Sequence, residues 1–262
     1  CSFCTIPRAR GKSRSDSIAN VLKNVQQLAE SGVKEVVLTG VNLGDFGKGP
    51  DGNRKHEENF LQLITALDEV EGIERFRISS IEPNLLTNDI IQFVAESRRF
   101  MPHFHIPLQS GSNKTLAAMR RRYRRELYSE RVALIKTFMP HCCIGVDVIV
   151  GFPGETEEDF NETYRFLHQL DVSYLHVFTY SERDNTHALS ISPVVPVHER
   201  NERNKTLRNL SFMKSRFFEQ QHSGQTRKVL FESGKENGMM DGYTDNYIKV
   251  STPYRPEWFN QV

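Results

Sequence analysis

The sequence is poor in cysteine, with 4 in 262 residues, too few for a disulfide scaffold in a chain of this size. It also lacks an excess of either charge. With 34 Lys+Arg against 33 Asp+Glu, a formal +1, any nucleic-acid contact must come from local basic patches and not from a global positive field. No apolar run approaches the roughly 20 residues that span a bilayer, and no signal-peptide pattern precedes the first strand. These absences lead to the expectation of a cytoplasmic protein with no membrane contact. Internal repeats and low-complexity tracts are missing too. An initiator Met is absent, since the first residue is Cys; the expectation is a trimmed chain with further sequence upstream.

What is present is a 38% apolar chain long enough for a full core. Strand-like runs at 34–39, 75–80, 103–108, 144–150 and 174–180 alternate with amphipathic segments at 16–31, 57–70, 88–97, 113–121, 126–139 and 156–170. Thr156-Glu-Glu-Asp159 reads as a helix start, with a hydroxyl N-cap and an acidic third position. Such alternation builds parallel strands with helical crossovers, in an open doubly wound sheet or a partial barrel. In the run from His103 to Gln109, His103, His105 and Gln109 share one face while Phe104, Ile106 and Leu108 share the other. An apolar exterior under helices and a polar interior suit a barrel, although hydrogen-bonded structural histidines give the same pattern. Residues 1–196 form this α/β domain, 197–224 a long charged connector helix, and 225–262 the start of a small β-domain with strands at 228–232 and 243–251.

Cys1-Ser2-Phe3-Cys4 has the tight spacing of metal or redox work. A zinc ribbon and a thioredoxin-like pair compete with an iron–sulfur site. No second C-x-x-C completes a zinc site, and Thr5-Ile6-Pro7 with the basic stretch 8–14 is an unexpected sequel to a redox pair, which opens a helix. Cys142 and Cys143 begin an apolar strand and read as small core residues. The run Arg120–Arg125 could grip phosphates, with Tyr123 available for stacking, or be a solvated linker.

The segment 1–14, CSFCTIPRARGKSR, resembles the latter part of the C-x-x-x-C-x-x-C segment of radical S-adenosylmethionine (SAM) methylthiotransferases. The resemblance continues in order through 38–42 (LTGVN), 79–83 (SSIEP), 105–112 (HIPLQSGS), 147–155 (DVIVGFPGE) and 176–183 (HVFTYSER). Residues 242–250 resemble the TRAM domain, a small RNA-binding β-barrel attached to these enzymes. The fold thus implied is a partial (βα)6 radical-SAM barrel lacking its first strand, followed by a truncated TRAM-like β-domain.

The same resemblance implies that Cys1 and Cys4 are two of three ligands to a [4Fe-4S] cluster, and that Phe3, Thr39, Gly40, Glu82, Gln109, Gly151 and Phe152 lie at the SAM site. Arg8, Arg10, Arg14, Arg122, Tyr123 and Arg183 become RNA-contact candidates. Implied beyond this chain are a second [4Fe-4S] cluster in a preceding domain, the tRNA anticodon region as partner and an electron donor, so the segment alone would be inactive. Within the family, 39–42, 119–123 and 242–245 look most like the branch acting on C2 of N6-threonylcarbamoyladenosine 37. The other branches act on isopentenyladenosine 37 or on an aspartate of ribosomal protein S12. A noncatalytic RNA-binding relic is the reading of a different class.

Overall fold

The computed structural model describes residues 2–49, 52, 57–234 and 238–262. Cys1 therefore lies outside the described residues.

Five parallel strands are laid down in sequence order: β1 (Glu35–Leu38), β2 (Arg75–Ile78), β3 (His103–His105), β4 (Cys143–Val150) and β5 (Tyr174–Thr179). Between β2 and β3 the ladder thins to single parallel bridges, Phe76 with Phe100 and Ser80 with His105. Helical crossovers separate the strands: α3 (Phe60–Asp68), α4 (Asn88–Glu96), α5 (Asn113–Ala118) with α6 (Arg125–Phe138), and α7 (Glu157–Gln169). Ahead of β1 come α1 (Ile6–Arg10) and α2 (Ile18–Glu30). The five expected parallel strands and the helices between them all form, with ends shifted by a few residues.

The helices cover one face of the sheet. Phe76, Ile78, Phe104, Ile106, Val146 and Val148 point into a core completed by Leu63, Ile64, Leu67, Ile91, Tyr128, Ile135 and Leu167 from the helices. Alternation then forces the intervening residues to the inner face, and these are polar or small: Glu35, Arg75, Arg77, His103, His105, Gly145, Asp147, Tyr174 and His176. Gly145 makes room for Tyr174, whose phenol would lie 2.4 Å from an added Cβ.

Three departures from the sequence reading have local causes. Residues 6–10 are helical where none was expected, because Pro7 occupies the first turn, where a missing N–H costs nothing. The long helix α8 (Val197–Gln221) does more than connect: Leu207 and Leu210 enter the main core, and the Ser211 hydroxyl donates to Leu175 O (2.9 Å) while accepting from Leu175 N (2.9 Å). The expected strand 243–251 is split by a turn at 245–248, giving an antiparallel sheet of β6 (Val229–Gly234), β7 (Met239–Thr244) and β8 (Lys249–Pro253). The Thr244 hydroxyl organises this turn, donating to Asn246 Oδ1 (2.7 Å) and accepting from Ile248 N (2.8 Å), while Tyr247 takes φ +67°.

Asp159 ties two helix starts together. It closes the Thr156 capping box of α7 and accepts from Ser112 Oγ (3.0 Å) at the start of α5 and from Lys114 Nζ (2.7 Å). Burial pushes its carboxyl up, but the bonds from Lys114, Thr156 and Ser112 outweigh it and hold it at about 2, below the ordinary 3.8. A depressed carboxylate stabilises the fold above its unfolded pKa and loses that contribution as pH falls through the folded value. Asp159→Asn is therefore expected to lower stability by roughly 2 kcal/mol near neutrality. It should also flatten the decline between about pH 4 and pH 2; denaturant melts at a series of pH values check both.

Candidate functional site

The ends of the parallel strands carry most of the residues singled out in the sequence, because loops leaving the C-terminal edge of such a sheet converge there. The loop bearing Cys4 is anchored to this edge by its backbone: Ser2 N donates to Met119 O (3.0 Å), and Ala188 N donates to Ser2 O (2.9 Å). Phe3 then docks on a small apolar cluster of Met119, Phe152, Tyr180 and Ala188. Its ring meets Phe152 edge-on at 6.0 Å, and Phe152 meets Tyr180 at 5.5 Å. Cys4, half-buried, has a free thiol.

Arg121 joins these aromatics to the acidic residue of the 79–83 segment. Its guanidinium lies over the Phe3 ring (5.5 Å) and donates to Glu82 Oε1 (2.8 Å), while its Nε is buried without a partner. Phe3, Phe152 and Glu82 are thus brought together through a residue the sequence reading passed over in favour of its neighbour Arg122. A run of like charges gave no signal as to which arginine turns inward.

Gln109 is buried and held at φ +72°, uncommon for a non-glycine residue. Its N–H donates to Asp147 O (2.8 Å), and its carbonyl accepts from Ile149 N (2.9 Å). Gly151 follows at the end of β4 with φ +73°, where an added Cβ would lie 2.3 Å from Arg200 Cγ. Packing against α8 therefore already requires glycine there. Gly154 N in the same turn donates to Pro193 O (2.8 Å).

Thr39 and Gly40, both exposed at the end of β1, line a cleft of about 790 Å³ together with Arg10, Lys12, Arg14 and Asn42. Asn42 Oδ1 accepts from Glu82 N (3.3 Å), linking the cleft to the Phe3 group. Arg8, Arg122 and Arg183 are exposed. Tyr123 is corrected: it is buried, its hydroxyl donating to Pro107 O (2.9 Å) and Leu108 O (3.2 Å), so its ring is closed to a stacking base. Burial pushes its phenol well up. Cys142 and Cys143 are buried, as expected, and burial raises both thiols, that of Cys143 to about 12, which keeps them protonated and inert.

Two inner-face groups lie below the strand ends. His105 Nε2 and His176 Nδ1 stand 2.9 Å and 3.4 Å from the same Asp147 oxygen. Burial raises the Asp147 carboxyl, but the two imidazoles prevail and hold it at about 2. Deeper still, burial and the nearby Arg77 push His103 down to about 3, so it is neutral. His103 stacks on Tyr247 of the small sheet (4.2 Å) and pairs with the Tyr174 hydroxyl (3.1 Å). It is a packed structural histidine, whereas His105 is partly exposed.

The sequence pattern of the Radical SAM superfamily matches residues 1–167. Among curated proteins, the chain is 42% identical over 255 residues to the threonylcarbamoyladenosine tRNA methylthiotransferase MtaB of Bacillus subtilis, covering 95% of this chain and 55% of that protein. It is 40% identical to the protein of the same name from Aquifex aeolicus (95% and 58%). It is 35% identical to the tRNA-2-methylthio-N(6)-dimethylallyladenosine synthase of Lachnoclostridium phytofermentans (95% and 54%). The chain thus spans a little over half the length of these relatives. Among solved structures, the radical S-adenosylmethionine methyltransferase TsrM of Kitasatospora setae superposes with a TM-score of 0.55 at 18% identity, over 68% of this chain and 34% of that one. The coproporphyrinogen III oxidase HemN of Escherichia coli gives 0.54 at 15%, over 76% and 46%.

Proposed function

This chain belongs to the radical SAM superfamily, and from that premise we propose that it is the catalytic core of a methylthiotransferase acting on C2 of N6-threonylcarbamoyladenosine 37 in tRNA. The observation that carries the reading is the Cys4 loop. A free, half-buried thiol sits on a loop pinned to the C-terminal edge of a parallel sheet, with an aromatic side chain fixed beside it. That is the chemistry a thiolate-held [4Fe-4S] cluster needs: a sulfur ligand in a rigid loop at the end of the fold where ligands bind.

Cys1 and Cys4, with a third cysteine upstream, would hold the cluster. Bound there, cluster and SAM supply the one-electron chemistry that removes a hydrogen atom from an unactivated carbon. This chain's residues do the positioning. Phe3, half-buried and backed by the fully buried Phe152, offers apolar ring surface to an adenine, and Arg121 Nε offers a buried unpaired donor beside the half-buried Glu82 carboxylate. Thr39 and Gly40 present open backbone at the cleft. Arg10 and Arg14 on the rim, with Arg8 nearby, suit RNA phosphates, and the sheet β6–β8 suits a TRAM-like contact with the anticodon region.

In this reading the five parallel strands are the greater part of a radical-SAM partial barrel. A preceding domain carries a second [4Fe-4S] cluster, reduction comes from a separate electron donor, and the work is done in the cytoplasm. Among the described residues no helix is long and apolar enough to cross a membrane.

The test is expression of the complete gene in cells lacking the modification, followed by mass spectrometry of tRNA nucleosides. The expected result is the methylthio derivative of threonylcarbamoyladenosine. A methylthio group on the dimethylallyl nucleoside instead would transfer the reading to that branch, and an unchanged profile would reject the tRNA substrate altogether.

A further inference from the structure

The geometry points to a divalent transition-metal site of the zinc class on the inner face of the sheet, formed by His105 Nε2, Asp147 Oδ1 and His176 Nδ1. The three side chains come from three adjacent strands. Asp147 and His176 are direct register partners on β4 and β5, and His105 is paired with Gly145, two residues before Asp147 on the same face. Parallel pairing therefore delivers one ligand from each strand to a single patch, without any loop to position.

The spacing suits an ion. Metal bonds of about 2.0–2.1 Å to imidazole nitrogen and carboxylate oxygen place neighbouring ligand atoms roughly 2.9 Å apart at right angles and about 3.4 Å apart in a tetrahedron. The separations from Asp147 Oδ1 are 2.9 Å to His105 and 3.4 Å to His176, and all three donor atoms lie within 4.8 Å of one another. The triangle is already close to ligand size, and a small rotation of the His176 ring, whose side chain is 53% exposed, closes its longest edge. His105 and Asp147 are more enclosed, at 15% and 23%, so the fixed ligands lie inside and the adjustable one at the mouth. Two imidazoles and one carboxylate form a half-shell that leaves the remaining coordination positions on the side where His176 is exposed to solvent.

The alternative for the same atoms is a carboxylate accepting N–H bonds from two imidazoles, with no metal. The two are separated by equilibrium dialysis of the full-length, cluster-loaded protein against Zn²⁺ under anaerobic conditions, with zinc, iron and sulfide measured per chain. Wild type is expected to retain one more zinc than Asp147→Asn or His176→Ala at equal iron content, with affinity falling roughly 100-fold or more in each, beyond the cost of disturbing outer-shell partners. His176→Ala is the safer variant for folding, because its side chain is largely exposed. Zinc retention equal in wild type and His176→Ala, at matched iron content, overturns the site and leaves a hydrogen-bonded triad. The readout is metal content, so it does not depend on which nucleoside the enzyme modifies.

Discussion

Cys4→Ala in the full-length protein is expected to give a folded protein whose iron and sulfide fall by one [4Fe-4S] cluster, leaving only that of the preceding domain, and whose tRNA methylthiolation is lost. The argument starts from where the thiol sits. Cys4 is free and half-buried, and its loop is held by main-chain bonds of Ser2 to Met119 and Ala188 and by the Phe3 ring on Phe152. None of these anchors uses the sulfur. Removing it therefore leaves the loop in place but takes away one member of the proposed three-thiolate set, and two remaining ligands would not hold a cluster. Outer-shell changes around a metal cost about 10–100-fold in metal affinity or activity, so loss of a ligand should cost more. Iron and sulfide analysis with cluster absorbance after anaerobic reconstitution, beside circular dichroism for the fold, makes the comparison. A variant that keeps its full iron would show that Cys4 is no ligand, and the Cys4 loop would need another role.

The largest effect on stability is expected from Arg77→Ala. Its side chain is only 2% exposed, and every polar nitrogen has a partner: Nε donates to Glu35 Oε1 (2.7 Å), Nη1 to Asp245 O (2.9 Å) and Nη2 to Thr244 O (2.8 Å). The Tyr247 ring covers it at 5.1 Å. Arg75, two residues earlier on the same face, adds one bond of this kind, donating to Tyr243 O (3.1 Å). The inner face of β2 thus grips the β7–β8 turn through planar guanidinium groups, whose fixed fork matches successive carbonyls. Truncating Arg77 leaves a nearly buried Glu35 with its closest cation gone and two carbonyls unpaired, a loss of about 3–5 kcal/mol. Hydrogen exchange should rise first in 239–253 and only later in the parallel strands, since the helices grip the sheet from its other face. Uniform loss of protection across both sheets would mean that the small sheet is not separately held by this arginine.

The comparison of sequence with structure turns on side-chain direction. Strand and helix positions were legible because hydrophobic period is local: the alternation from His103 to Gln109 and the Thr156 capping box needed no partner to be read. The split at 245–248 was missed because Val250 and its neighbours continued a strand-like pattern across residues whose turn chemistry, Thr244 with Asn246, outweighs it. Arg77 and Arg75 looked like ordinary polar positions on a strand. Nothing local announces that a chain segment about 168 residues away will supply the carbonyls they bind. Tyr123 failed for the same reason, as a turn residue amid arginines is exposed by default until Pro107 and Leu108 present their carbonyls to it.

By itself the sequence determined the parallel α/β order and the shared inner face of His103 and His105, and it pointed to the Cys4 loop as the place to look for chemistry, because each rests on near-neighbour spacing and residue type. Only the tertiary structure decided that Arg121 and not Arg122 turns to Glu82, that α8 walls the sheet as well as linking it, and that His105, Asp147 and His176 share one patch. Those facts are set by strand register and by the packing of segments far apart in the chain. A one-residue slip in register would send His105 or Asp147 to the opposite face, and only the closed hydrogen-bond ladder fixes which register is taken.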